Sequence, residues 1–448
     1  MMNLVNSALE IFCGACTGRP LFREINNGKG PNLRLFRRQL LLALLLPLLL
    51  NCSSALTQAQ SISFSSPVKY AFGGTASTAI TAGDFNSDGK VDLAVANQDS
   101  YNVGILLGNG DGTFSAASSF SAGYSPRAIT SSDLNGDGKL DLVIANETGN
   151  DVSVLLGNGD GTFLGATNYG PVDRPEHIAI ADLNMDGKPD LAVAGFGGMV
   201  FVLTGNGDGT FRTPTGYATG LASTSVATGD FNRDGKPDLA VTNQDSSNLS
   251  VLLNSGGGTF SAAVNYATAP YPVSISLGDF NRDGNLDLVT ADIGPYSNGY
   301  FGGDGFVSVL LGNGNGTFQG AVNYSVGTVP HSVVAGDLNA DGLLDLIVAN
   351  AYSQSISILI SNGDGTFGSA INFGTGDPST PFAATLGDFN NDGKPDIATA
   401  NFVDSSVSVL INQSAAAIIS TKSLTYRIST TTTKTQSSKT TSSPKPRK

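Results

Sequence analysis

Between residues 60 and 412 the apolar positions fall into short runs of about five to seven residues, the usual length of a strand. Clusters of Gly, Asn, Asp and Pro separate the runs, as tight turns require. No stretch there sustains a 3.6-residue period, so the pattern predicts little helix. One set of runs reads Leu93-Ala-Val, Leu142-Val-Ile, Leu191-Ala-Val, Leu239-Ala-Val, Leu288-Val-Thr, Leu346-Ile-Val and Ile397-Ala-Thr. These are mostly continuous in apolar character rather than alternating, which predicts strands buried on both faces.

The runs recur in groups of four. In one group Ser225–Asp230 predicts a first strand, Leu239–Asn243 a second, Leu249–Leu253 a third and, after a glycine turn, Phe260–Tyr266 a fourth. Between first and second strands the chain writes Asp-x-Asn-x-Asp-Gly-x-x-Asp seven times, beginning at Asp84, Asp133, Asp182, Asp230, Asp279, Asp337 and Asp388. The steps are 49, 49, 48, 49, 58 and 51 residues, and such a period indicates a repeat architecture. Four-stranded sheets, each sandwiched between two neighbours, bury their second strands on both faces; stacked radially they make a propeller. A linear β-solenoid is the competing repeat fold, but its coils are usually shorter than about 49 residues.

Fourth strands are expected at Phe114–Phe120, Phe163–Tyr169, Phe211–Tyr217, Phe260–Tyr266, Phe318–Tyr324 and Phe367–Phe373. The seventh repeat ends after its third strand, Val407–Ile411, and lacks one. Phe64-Ser-Ser-Pro-Val-Lys-Tyr70 has the missing pattern, matching Phe260-Ser-Ala-Ala-Val-Asn-Tyr266. The expectation is an all-β, seven-bladed β-propeller of four-stranded blades, closed by the N-terminal strand completing the last blade, with no open edge.

Charge divides the chain into a leader (1–59), the repeats (60–412) and a tail (413–448). The leader holds six Lys/Arg and two Asp/Glu, the tail seven Lys/Arg and no acid. The repeats keep 24 − 6 − 7 = 11 basic against 37 − 2 = 35 acidic residues, a net of −24. That excess repels nucleic acid and anionic membrane and suits bound cations. In the leader Arg34, Arg37 and Arg38 precede the apolar run Leu40–Leu50, and Thr57-Gln58-Ala59 follows. This is the order of a secretory signal, too short for an ordinary spanning helix, so export to the extracellular space or cell surface is expected. An ordinary n-region is preferred over a twin-arginine reading of Arg37-Arg38. Cys13, Cys16 and Cys52 all lie in the leader, which leaves the repeats without a disulfide. From Thr430 to Lys448 the tail is rich in Ser, Thr, Lys and Pro without apolar side chains, and it is expected to be disordered.

Each nine-residue loop offers carboxylates at positions one, five and nine and an amide oxygen at position three. The sets are Asp84, Asn86, Asp88 and Asp92; Asp133, Asn135, Asp137 and Asp141; Asp182, Asn184, Asp186 and Asp190; Asp230, Asn232, Asp234 and Asp238; Asp279, Asn281, Asp283 and Asp287; Asp337, Asn339, Asp341 and Asp345; Asp388, Asn390, Asp392 and Asp396. Glycine at position six permits the turn that folds both halves around an ion. Oxygen donors in a flexible loop suit Ca2+, up to seven ions at one per blade; Mg2+ demands stricter geometry, and zinc would want Cys or His. An EF-hand or dockerin helix is excluded, because position twelve (Val95, Ile144, Val193, Val241, Thr290, Val348, Thr399) belongs to apolar strands.

Gly83-Asp-Phe-Asn86…Asp88-Gly89…Asp92-Leu93 and Gly108-Asn-Gly-Asp-Gly-Thr-Phe114 resemble the FG-GAP repeats, also described as VCBS repeats, which build the head propeller of integrin α subunits. The resemblance covers residues 64–412. It implies a seven-bladed propeller with calcium in the hairpin between the first and second strands of each blade. Asn at position three departs from the Asp that integrin loops often carry. The Gly-Asn-Gly-Asp-Gly-Thr-Phe stretches read as tight hairpins rather than ligand sites. The resemblance also implies a binding or adhesion role toward an extracellular protein or carbohydrate, on the face opposite the Asp loops.

The one long insertion, Asp292 to Gly305 in the fifth repeat, falls on that face. Tyr296, Tyr300 and Phe301 within it, with Tyr271 in the connection entering the same blade, are ligand-face candidates. Catalysis is not expected: His177 and His331 are the two histidines, and neither sits in a nucleophile motif. A polysaccharide-lyase-like enzyme or a lectin on the same scaffold is the alternative. The mature domain is expected to be a monomeric propeller, neither membrane-inserted nor bound to nucleic acid.

Overall fold

Each second strand lies between two other sheets, which is what its unbroken apolar character requires. The computed structural model describes residues 9–10, 23–24, 62–297, 300–301 and 303–414. The chain forms two units, Met1–Gln60 with Ile418–Lys448, and Ser61–Ala417. In the first, Leu9–Glu10 pairs antiparallel with Arg23–Glu24. The expected signal run Leu40–Leu50, the three cysteines and the tail from residue 415 lie outside the described residues. Among the described residues no helix is long and apolar enough to cross a membrane.

The second unit is a seven-bladed β-propeller. Seven four-stranded antiparallel sheets follow one another. Their first strands are Ser77–Gly83, Pro126–Ser132, Pro175–Ala181, Ser223–Gly229, Pro272–Gly278, Pro330–Gly336 and Pro381–Gly387. Residues from all seven line one axial cavity. The second strands, from Asp92–Asn97 to Asp396–Asn401, are buried at every residue.

Among the described residues the hydrophobic core falls into seven main pieces, one between each pair of neighbouring blades, and a small eighth cluster around Ile293, Val329 and Ala351. Leu93 and Val95 pack toward blade 7, whereas Ala94 and Ala96, next to them in sequence, pack toward blade 2. In blade 2 Leu142 and Ile144 face backward, and Val143 and Ala145 forward. The alternation of a strand therefore persists, but both of its faces are apolar.

The ring closes as the sequence predicts. Val68–Ala71 pairs with the third strand of blade 7, Ser406–Leu410, in the register Val68↔Val409 to Ala71↔Ser406. Phe64 bridges Asn412, Ser65 N–H donates to Ile411 O at 2.8 Å, and Gln413 N–H donates to Ser63 O at 2.8 Å. Lys69 adds a bond to Pro378 O and an ion pair with Asp404 at 2.6 Å. The fourth strands differ from expectation by starting later. Phe114 only bridges Gly108, and the strand proper is Ser118–Ser121. The reason is the turn: Asp111 Oδ1 accepts Thr113 N–H at 3.0 Å, curling the chain so that the Phe114 ring enters the core.

Polar chains cross the buried sheets. Asn243 Nδ2 donates to Ser250 Oγ at 2.9 Å, and Ser250 Oγ donates to Asn265 Oδ1 at 2.7 Å; blades 2 and 6 repeat this. Blade 5 places Asp292 where the asparagine stands. Ser308 Oγ lies 2.6 Å from Asp292 Oδ2 and 2.9 Å from Asn323 Oδ1, and one hydroxyl proton cannot serve both. A protonated Asp292 donates to Ser308 and restores the chain. Burial pushes its carboxyl up to about 7, against the pull of the Ser308 and Thr290 hydroxyls.

Two outcomes follow. Deleting residues 62–71 exposes the edge of blade 7 and its inter-blade core, and is expected to lower the melting temperature by more than about 10 °C in calorimetry. Asp292 has a folded pKa above its unfolded value, so the folded state holds the proton more tightly. Its contribution is present at low pH and lost as pH rises from about 4 to about 7. Asp292→Asn should therefore stabilise the domain by roughly 1–2 kcal/mol more at pH 8 than at pH 5, read by urea unfolding at both values.

Candidate functional site

The seven Asp loops lie at one end of the first strands. In blade 1 the Asp84 carboxylate accepts the backbone N–H of Asp88 at 3.1 Å and of Gly89 at 2.8 Å. Asn86 Oδ1 accepts the same Asp88 N–H at 3.0 Å, and Asp88 Oδ1 accepts that of Lys90 at 3.0 Å. The other six loops repeat these bonds. The path needs two left-handed residues: the glycine at position six, φ +80° at Gly89, and position four, φ +58° at Ser87 and +61° at Arg233. The sequence signals the first through its glycine; the second is glycine only at Gly136 and otherwise falls on residues as varied as Ser87, Met185, Arg233 and Ala340, so it gives no consistent signal.

Position nine behaves differently from the other three. Asp92 is fully buried, and its two oxygens accept Phe85 N–H at 2.9 Å and Gly108 N–H at 2.7 Å. It clamps the loop to the turn between third and fourth strands. Asp141, Asp190, Asp238, Asp287, Asp345 and Asp396 do the same in their blades. The clamped turn then reaches the preceding blade: Gly161 N–H donates to Phe85 O at 2.9 Å, Gly316 N–H to Phe231 O at 2.8 Å, and Gly112 N–H to Phe389 O at 2.8 Å. Blades 4 and 7 lack the Gly-Asn-Gly-Asp-Gly turn, and a side chain takes over: Asn254 Nδ2 donates to Leu183 O at 2.8 Å and Asn412 Nδ2 to Leu338 O at 2.9 Å.

Burial pushes Asp92, Asp287, Asp345 and Asp396 up to about 6, against the pull of their two N–H donors. The carboxylates at positions five and one add to the rise, and Asp141, Asp190 and Asp238 shift the same way. Negative charge in the loops is thus incompletely compensated. Lysine at position seven relieves it in part, with Lys90 Nζ 3.2 Å from Asp88 and Lys236 Nζ 2.7 Å from Asp234. Blades 5 and 6 have Asn285 and Leu343 at that position. Among the described residues no three acidic, His or Cys side chains already converge as a metal cage. The donor set is nevertheless the one a hard cation takes: oxygens only, with three carboxylates in each loop.

The opposite face does not repeat. In all seven blades the pairing of first and second strands slips by one residue, a β-bulge at the strand's second position. The bulged residues are Thr78, Arg127, Glu176, Thr224, Val273, His331 and Phe382. Each differs in chemical class from both of its ring neighbours, so the channel mouth is chemically uneven. A bulge re-aims a side chain away from the ladder. The sequence reading passed over this ring because each residue is unremarkable within its own strand; the signal is change of charge at a fixed position of an otherwise constant repeat.

Of the ligand-face candidates, Tyr271 is half-buried and packs with Ile293, Val329 and Ala351. Tyr296–Ser297 pairs with Tyr300–Phe301 as a short hairpin within the insertion. Elsewhere on this face Tyr101 and Tyr124 are 47 % and 67 % exposed with ring centroids 5.5 Å apart. His177 and His331, expected just before first strands, lie within them and line the cavity.

No curated protein matches the chain. Among solved structures, BBS1N in complex with ARL6DN shares 13 % identity over 78 % of this chain and 96 % of that one, with a TM-score of 0.55. Virginiamycin B lyase from Staphylococcus aureus shares 14 % identity over 78 % of this chain and 99 % of that one, with a TM-score of 0.54. An Agrocybe aegerita lectin, solved for its recognition of non-reducing terminal N-acetylglucosamine, shares 22 % identity over 72 % and 85 %, with a TM-score of 0.48. At these identities the likeness is one of fold. The FG-GAP-like repeat model matches residues 84–144, 133–193, 182–241, 230–290, 299–348 and 337–399. With the Asp loops, the clamped turns and the closed ring of seven blades, these matches mean that the chain belongs to the FG-GAP-like repeat family.

Proposed function

We propose that this chain is an exported, calcium-stabilised propeller that binds an extracellular protein or glycan. The observation that carries the reading is the division of labour between the faces. One face is seven near-copies of a loop whose buried carboxylate clamps the blades. The other is non-repeating and presents exposed Tyr101, Tyr124, Leu221, Tyr352 and Val403 on loops distributed around the ring. Exposed aromatic and apolar groups on loops held by a rigid scaffold are what a binding face offers.

Calcium, when bound, supplies the positive charge that the carboxylates of each loop lack. Positions one, three and five of a loop would hold it, and position nine would serve both ion and clamp. An occupied site contributes about 2.7 kcal/mol when calcium stands at a hundred times its Kd. Surplus acidity in the repeats argues against nucleic acid as a partner. The second reading, a lyase-like carbohydrate-active enzyme, is favoured by the two histidines in the channel. New reducing ends released from acidic polysaccharide would promote it over binding alone.

Chelator is expected to lower the melting temperature by on the order of 10 °C, with recovery on adding calcium but not magnesium. A melting point indifferent to chelator would show that the fold does not depend on a bound metal. The two roles of the loop separate by substitution. Asp341→Asn should reduce the calcium-dependent increment and leave the chelated melting point within about 1 °C. Asp345→Ala should cost about 2–3 kcal/mol even in chelator, because Leu338 N–H and Ser361 N–H lose their acceptor. For the binding face, glycan and matrix-protein arrays in calcium should yield a ligand. Joint alanine substitution of Tyr296, Tyr300 and Phe301 is expected to weaken it at least about tenfold without changing the melting point.

A further inference from the structure

The first strands enclose an axial cavity of about 290 Å³, the size at which small-molecule sites begin. If it were only the place where seven equivalent strands meet, its lining would repeat as the Asp loops do. It does not. Blade 2 contributes Arg127, blade 3 Glu176 and His177, blade 4 Ser225, blade 6 His331 and blade 7 Phe382.

Several of these groups hold polar valence that the protein leaves unused. Arg127 donates Nε–H to Glu176 Oε2 at 2.9 Å, and among the described residues its Nη groups meet no acceptor. Ser225 is 1 % exposed, and its hydroxyl has no partner among the described residues. At the same place in other blades the side chain is engaged. His177 Nδ1 accepts Val226 N–H at 3.5 Å, Ser274 Oγ accepts Val333 N–H at 3.2 Å, and Ser332 Oγ accepts Ala384 N–H at 3.4 Å. A buried hydroxyl left unmatched costs about 1–3 kcal/mol, which a ligand can recover. His331 stacks on Phe382 at 4.1 Å and Phe382 on Phe402 at 4.6 Å, so the imidazole is held in place. Among the described residues its nitrogens find no hydrogen-bond partner.

The chemistry of the occupant follows from these groups. A guanidinium with a free Nη edge grips a carboxylate by two parallel bonds. Glu176 beside it limits the site to a single negative charge, which disfavours a phosphate dianion. Burial holds both imidazoles neutral, His177 at about 4 and His331, further lowered by Arg127, at about 3. Each ring then offers a donor or an acceptor to a hydroxyl. We infer that the channel binds a small hydroxy-carboxylate, up to one sugar-acid unit in size, with its carboxylate on Arg127 and its hydroxyls among Ser225, His177 and His331. The inference rests on the reading of this face as the binding face, and places a ligand on the axis rather than on the fifth-blade insertion.

Isothermal titration of the full chain with D-galacturonate, D-glucuronate, D-galactose and D-glucose tests it. The acids should bind with Kd of about 1 mM or tighter, and the neutral sugars at least about tenfold more weakly. Arg127→Gln, which can still donate to Glu176, and His331→Phe, which keeps the stack, should each weaken the acids at least about tenfold. Ser225→Ala removes an unpaired group and is not expected to impair folding; it should weaken binding by about threefold or more, which covers the case where the other variants fold poorly. Neutral sugars binding as well as acids, no acid binding, or binding indifferent to all three substitutions overturns the inference. If glycan or protein binding on this face survives all three while the acids do not bind, the axial site alone is lost and the proposed function stands.

Discussion

The carboxylate at position nine is the contact on which the ring depends. A single Asp side chain, buried with both oxygens taken by backbone N–H groups, fixes two turns of one blade against each other. One of those turns then hydrogen-bonds the loop of the blade before. The interaction is therefore local and transmitted at once: clamp within the blade, stitch between blades, seven times around. Hydrogen bonds to a charged acceptor are worth roughly 1.5–3 kcal/mol each, more than the neutral ladder bonds around them. The same burial raises the carboxyl above the usual range, so the clamp carries a standing electrostatic cost, one that a bound cation would offset.

Much of this was legible in the residues. Asp-x-Asn-x-Asp-Gly-x-x-Asp gave the period, the continuous runs such as Leu93-Ala-Val gave burial on both faces, and Phe64–Tyr70 gave the closing partner. What the spacing could not show is that position nine serves backbone donors at both of its oxygens. Its chemical type matches positions one and five, and only burial sets it apart. The fourth strands were placed too early because Phe114 and its counterparts look like strand residues, whereas the Asp111–Thr113 turn bends them into the core. The channel residues were illegible for another reason. What sets them apart lies in the differences between blades, and reading by repeat averages those differences away.

The two faces obey different constraints. On the Asp-loop face every blade must fit its neighbour through the same stitch, so its chemistry is uniform; where the turn is lost, at Asn254 and Asn412, an amide side chain reaches the same kind of carbonyl. On the other face the β-bulge at each first strand frees one residue from the ladder. Arginine, glutamate, histidine and phenylalanine stand at equivalent positions there without disturbing the seven inter-blade cores. Uniformity and chemical variety are thus held by separate residues of one repeat.

The closing strand also bears on how the chain is made. Val68–Ala71 leaves the ribosome early, yet its partner Ser406–Leu410 comes more than three hundred residues later, after six complete blades. Until then the first-made segment has no sheet to join, and both ends of the growing array expose a bare strand edge. Contacts this distant in sequence form slowly, and open edges invite pairing with other chains. Biosynthesis must keep such an array apart from its copies until the last repeat emerges. A chain truncated anywhere within blade 7 would be left as a permanently open ring.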